Sequence, residues 1–267
     1  MIGYGNSMFL GSTLFGGGGG GIDPDAQAFI TAASITDPTQ QSAINQLVVD
    51  LKGYSIWTKM KALYPFVGGS ATSHSYNLKN TAQYQITWFG GATHGSNGVQ
   101  FNGTNSYGNT GYNQTTVGDS LNSAHLSFYS RTNSNGTEIE IGVQQPSSNY
   151  NILEIRTSGT TYFLQNQSGL TSAADSDSRG FYLGNRQLSN DIDGWRRGIK
   201  VINGTQASGS LPNANIFIGA MNTSNIASNY TTKQCAFASI GSGLTDTEAA
   251  NFYTAVQTFQ VALSRNI

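Results

Sequence analysis

The sequence predicts a mainly β protein: a jelly-roll sandwich of antiparallel sheets with a small N-terminal helical region and a C-terminal helix. Three observations predict it. Short alternating or apolar runs recur between Gly, Asn and Ser clusters from about residue 66 to 241. Helical periodicity is confined to the two flanks of that region. Only 10% of the 267 residues are charged, against roughly 25% in ordinary soluble domains. Ser, Thr, Asn and Gln fill that gap, as suits many exposed strands and long polar loops.

The first element is an apolar, glycine-rich arm. Residues 1–22 place Met1, Ile2, Tyr4, Met8, Phe9, Leu10, Leu14 and Phe15 among Gly and Ser and end on an unbroken run, Gly16 to Gly21. No Lys or Arg precedes the apolar part, so the charged start of a secretory signal is missing. Gly lets a backbone approach a neighbour closely, and the large side chains can fill its pockets. These eight residues are therefore expected to anchor the chain to a partner.

Residues 23–66 are expected to form a helical base. Asp23-Pro24 and Asp37-Pro38 each place an N-cap carboxylate before a proline at the first helical position. Ile44, Leu47, Val48 and Leu51 then give one apolar face, with Gly53 as its stop. A third short helix is expected over 54–63, on the stripe Ile56, Met60 and Leu63.

Residues 67–267 are expected to form the sandwich and its final helix. Strands are expected at 62–67, 84–88, 98–101, 124–131, 137–143, 149–157, 160–165, 180–185, 194–202, 215–220 and 235–239. The dipeptides Asn102-Gly103, Asn135-Gly136, Ser158-Gly159, Asp193-Gly194 and Asn203-Gly204 are turn signals between them. Thr245 with Glu248 makes a capping box, and Phe252, Val256, Phe259 and Leu263 give that helix one apolar face. The face is expected on the sandwich edge or on the N-terminal helices.

Composition excludes several functions. The net charge of −1 leaves no basic excess to neutralise phosphates, so nucleic acid is not an expected partner. Cys235 is alone, which excludes an internal disulfide and a cysteine-held zinc. No apolar run approaches the ~18–20 residues of a membrane span.

Five strings in order resemble the laminin-G/concanavalin A-like sandwich. They are Phe101-Asn102-Gly103-Thr104-Asn105-Ser106-Tyr107, the run Phe181 to Arg186, the hairpin Gly194 to Gly204, Ile216 to Asn222, and Phe237 to Glu248. The stretch from Asp23 to Tyr76 is similar to the leader ahead of such domains in structural proteins of tailed bacteriophages, including the crAss-like group of Bacteroidota phages. Its strings are Asp23 to Phe29, Gln46 to Lys52 and Trp57 to Gly69. The resemblance implies a virion protein, a head fibre or tail appendage. It also implies a homo-oligomer, trimers being usual for such fibres.

Candidate sites follow from residue type. Calcium needs several carboxylates among six to eight oxygens, and the pairs Asp175/Asp177 and Asp191/Asp193 read better as turn formers. Glu138 and Glu140 would lie on one strand face about 6–7 Å apart, a conceivable hydrolytic pair. Glu154 and Arg156 on the next strand could neutralise them. His74, His94 and His125 are scattered, no G-x-S-x-G string occurs, and Cys235 reads as core. Glycan contacts are expected from Tyr107, Tyr112, Asn113, Tyr150 and Trp195, the last also able to be core. The expectation is a virion structural component with no enzymatic activity, metal or cofactor, held by its arm to capsid or tail proteins and able to bind glycans. The alternative is a carbohydrate-active enzyme (glycoside hydrolase or lyase) or a free lectin of the same fold.

Overall fold

The computed structural model describes residues 21–145 and 149–267. The anchoring residues Met1 to Phe15 lie outside the described residues. Helices α1 (Pro24–Ala32) and α2 (Pro38–Gly53) start where expected, with Asp23 accepting from the Asp25 N–H and Asp37 from the Gln40 N–H. The third expected helix does not form. A single 3-10 turn, Trp57–Lys59, leads straight into strand β1 (Met60–Tyr64). Residues 60, 63 and 64 are buried there from both sides, which suits a strand between two layers.

The chain continues through α3 (Ala71–Ser75), β2 (Thr87–Phe89), β3 (Thr93–Gly95), β4 (Gly98–Gln100), β5 (Tyr107–Asn109), α4 (Gln114–Val117) and β6 (Ala124–Ser130). Next come β7 (Ile141–Gln144), β8 (Tyr150–Thr157), β9 (Thr160–Gln167), β10 (Ser172–Ala174), β11 (Gly180–Arg186), β12 (Ile192–Arg196) and β13 (Ile199–Gly204). The last elements are β14 (Phe217–Ile218), β15 (Met221–Thr223), β16 (Ile226–Ser228), β17 (Gln234–Gly241) and α5 (Asp246–Ala262).

Two sheets result. One runs β13-β12-β11-β6-β17-β4-β3, with β1 also on β17. The other runs β10-β9-β8-β7-β14-β5-β2, with β15 and β16 attached to β7. Leu126, Phe128, Tyr182, Ala238 and Ile240 of the first sheet face Ile141, Val143, Leu153 and Phe163 of the second across one apolar core. Tyr129, Phe181, Leu183 and Phe237 point the other way, into a second core made with α1, α2 and α5. The β6 and β11 strands are consequently buried at every position. The C-terminal helix thus covers the face of a sheet rather than its edge, and it packs on α2. The strand β1, placed with the helical base by the expected division at residue 66, is a member of the first sheet.

Turn chemistry explains where local signals succeed and fail. Ser158-Gly159 forms the β8–β9 hairpin with both residues at positive φ, 50° and 78°. Asp193-Gly194 and Asn203-Gly204 are not turns: Asp193 pairs with Asn203 and Gly194 with Ile202 inside one hairpin. Its turn is Arg197-Gly198, at φ 50° and 78°. Gly194 serves packing instead, since a Cβ there would lie 2.6 Å from the Phe163 ring.

Candidate functional site

The outer face of the second sheet carries a column of aromatic rings. Along β2, Trp88 points into the sandwich core, so its neighbour Phe89 points out. Phe89 lies opposite Tyr107 on β5, and the rings stack at 4.8 Å with planes 12° apart. Tyr107 stacks in turn on Phe217 of β14 at 4.7 Å. Tyr230 joins from the side, 6.3 Å from Tyr107. Stacked rings stand on edge, so the column offers ring edges and phenol hydroxyls to solvent. Phe89, at its end, is 43% exposed and keeps one apolar ring face free.

Amides border the column. The Asn102 side chain accepts from the Thr104, Asn105 and Ser106 N–H groups and donates to Gly90 O, which ties the 102–106 loop to the residue after Phe89. Asn105 is exposed on that loop. Burial holds the Tyr107 hydroxyl above its usual pKa, and neighbouring Tyr230 adds to the rise, so the Tyr107 phenol stays a neutral donor, while the Tyr230 hydroxyl donates to Ala227 O and keeps its acceptor side. Further across the same face, Tyr150 and Tyr162 pack over Ile152, Leu164 and Met221.

Of the residues expected to touch glycan, Tyr107 belongs to this column and Tyr150 lies elsewhere on the same face. The other three do not. Tyr112 is fully buried and donates its hydroxyl to Asp119. Asn113 caps α4, accepting from the Thr115 and Thr116 N–H groups. Trp195 is in the core under the helices, with the Lys200 ammonium 5.5 Å from its ring centre. Phe89, Phe217 and Tyr230 were missed because only strand register brings them to Tyr107.

Of the candidate carboxylates, all but Asp191 are committed to cations among the described residues. Glu138 and Glu140 precede β7 instead of sharing a strand, and the Lys233 ammonium lies 3.0 Å from one and 2.9 Å from the other. Lys233 and Glu140 are fully buried. Burial pushes Glu140 up to about 7 against the pull of Lys233. At Glu138 burial is outweighed by the Thr232 hydroxyl and Lys233, so its pKa falls. Lys233 thus engages both carboxylates at once, and the oxygens that a hydrolase would need free are taken. Asp175 pairs with Arg196 at 2.7 Å, Asp177 with Arg197 at 2.9 Å and Asp193 with Lys200 at 2.9 Å. Among the described residues no three His, Cys, Asp or Glu side chains are grouped to hold a metal.

His74 and His94 meet through their Nδ1 atoms at 3.0 Å, beside the Trp88 ring. His125 is buried with Nδ1 2.6 Å from Ser242 O and Nε2 3.1 Å from Ser239 Oγ. A carbonyl only accepts, so Nδ1 carries the proton and Nε2 accepts. Cys235 is core, as expected.

No family model matches the sequence, and no curated protein does. Solved structures do share the fold. The chain is similar to the sialidase of Trypanosoma rangeli in complex with sialic acid, at TM-score 0.54 and 11% identity, over 79% of this chain and 38% of that one. A mutant of that sialidase displaying trans-sialidase activity gives TM-score 0.54 and 10% identity over 82% and 39%. The binding domain of botulinum neurotoxin serotype D gives 0.51 and 12% over 75% and 52%. The chain spans about two fifths of the sialidase chains and half of the toxin domain. These likenesses settle the sandwich class. They also correct the expectation of a chain without enzymatic activity, because sialidases are glycoside hydrolases and this architecture recurs in them.

Proposed function

We propose that the chain recognises carbohydrate through the outer face of its second sheet. The observation that carries this is the Phe89–Tyr107–Phe217 column with its free ring face at Phe89. A sugar presents an apolar C–H face and a rim of hydroxyls. Phe89 suits the first, and the Tyr107 and Tyr230 hydroxyls with the Asn105 amide suit the second. Support comes also from the neighbours, one printed as a complex with sialic acid and one as a binding domain.

A glycan panel tests the reading, followed by titration of the best ligand. Phe89→Ala and Tyr107→Ala are each expected to weaken binding about tenfold or more, with little change in melting temperature for the exposed Phe89. Equal affinity of both variants and the parent would sink the proposal. Reducing sugar released from the same panel reads cleavage in parallel.

A virion appendage is a second reading, carried by the resemblance of residues 23–76 to phage leaders. What favours it is that this segment supplies β1 and half of the helical core, so leader and sandwich are one unit. The expected outcome is this chain among the proteins of purified particles by mass spectrometry. Particles that lack it refute the reading.

A further inference from the structure

The chain has six lysines, at 52, 59, 61, 79, 200 and 233. Four of them hold a carboxylate oxygen within 3.0 Å: Lys52, Lys59, Lys200 and Lys233. The two that do not, Lys61 and Lys79, line the same cavity of about 380 Å³ at one end of the sandwich. The other four lysines are each held close to a carboxylate, which sets Lys61 and Lys79 apart among the lysines.

Each ammonium is placed by the fold. Lys61 is on β1, and its nearest carboxylate, on Asp119, is 3.8 Å away, beyond a hydrogen bond. Asp119 is occupied by the Tyr112 hydroxyl, and burial raises its pKa. Lys79 makes no ion pair among the described residues, and residues 1–20 and 146–148 contain no Asp or Glu to supply one. Its ammonium sits 4.3 Å from the centre of the Trp57 ring, which fixes its direction without neutralising it. Burial lowers the Lys79 pKa; the Asp25 carboxylate opposes this from a distance, and Lys52 and Lys61 lower the pKa further.

The remaining lining completes a receptor. Thr58, Gln83 and Tyr84 also line the cavity, and their side-chain polar groups have no hydrogen-bond partner among the described residues. Free neutral donors around two cations match the oxygens of an anionic group and of the hydroxylated body that bears it.

We propose that this cavity binds a small oxyanion-bearing ligand, a carboxylate or phosphate on a body of about monosaccharide size, between Lys61 and Lys79. The site uses no residue of the aromatic column, so the two can fail separately.

Amide NMR spectra of the full chain test it, with glucuronate, glucose 6-phosphate and glucose as probes. Saturable shifts at residues 58–61 and 79–84 are expected with at least one of the anions and not with glucose. The anion that acts identifies the group. Lys61→Met with Lys79→Met is expected to weaken that binding about tenfold or more, while Phe89→Ala leaves it unchanged. Should the double variant fold poorly, Lys79→Gln alone is read, and the comparison of anions with glucose needs no variant. Absence of saturation with both anions, or an equal response to glucose, overturns the proposal.

Discussion

Lys233→Met is expected to destabilise the fold by about 3–5 kcal/mol, the range for removing one partner of a buried ion pair. The substitution keeps the length of the side chain and deletes its charge. Glu140 and Glu138 are then left facing each other, and Glu140 is fully buried. The Thr231 hydroxyl lies within 3.1 Å of both carboxylates, has one proton to donate and cannot neutralise either. Adding Glu140→Gln to Lys233→Met is expected to restore part of the loss, because one buried charge disappears with its partner. Urea midpoints for the parent, both single variants and the double variant give the coupling. A loss below about 1 kcal/mol for Lys233→Met would mean that the lysine is idle there.

Acid is expected to remove several kcal/mol through the buried histidines. Burial lowers His74 to about 3, with His94 and Arg265 adding to the effect. Burial lowers His125 to about 4, against the pull of the Ser242 carbonyl. Both lie below the 6.5 of an exposed histidine, so the unfolded chain takes up protons that the fold refuses. Stability from these groups is intact above pH 6.5 and is lost as pH falls toward 4 and then 3. Each contributes about 1.4 kcal/mol per pH unit in that window. Glu140 has the opposite sign. Its folded pKa of about 7 exceeds the ordinary 4.5, so it gains stability as pH falls from 7 to 4.5 and masks one histidine there. The expected profile is flat near neutrality, declines below about pH 6 and steepens below 4.5. Glu140→Gln removes the mask, and its decline between pH 6.5 and 4.5 is expected to be the steeper by about 1.4 kcal/mol per unit. Equal slopes for parent and variant would contradict this assignment of Glu140.

Much of the fold was legible from short-range chemistry. Asp23-Pro24, Asp37-Pro38 and the Thr245–Glu248 capping box mark helix starts because their signals are complete within four residues. Strands such as β6 and β11 are long enough for their apolar residues to show. The three-residue strands β5 and β15 are not, since they pair with β14 and β7, far along the chain. The expected third helix failed for a related reason. Met60 to Tyr64 has a helical stripe, yet β17 offers it a full ladder between two apolar layers.

The candidate sites were less legible. Tyr107 could be named from its loop, but Phe89 and Phe217 reach it only through register. Lys233 had no local signature at all. It stands between threonines and the final strand, and its value lies in two glutamates about 95 residues earlier. The lysines at 61 and 79 are ordinary in sequence. Their meaning lies in the carboxylates that the fold does not bring to them.

The position of β17 has a consequence for synthesis. It is made after every strand it pairs with, yet it sits at the centre of the first sheet, hydrogen-bonded to β6, β4 and β1. On a growing chain those three strands emerge from the ribosome with their ladders open and wait for residues 234–241. Until then the nascent polypeptide exposes unpaired edges of its most apolar strands, a state prone to pairing between neighbours on the same message. Recombinant yield should therefore respond to slowed translation and to chaperones that shield nascent strands more than to the stability of the finished molecule.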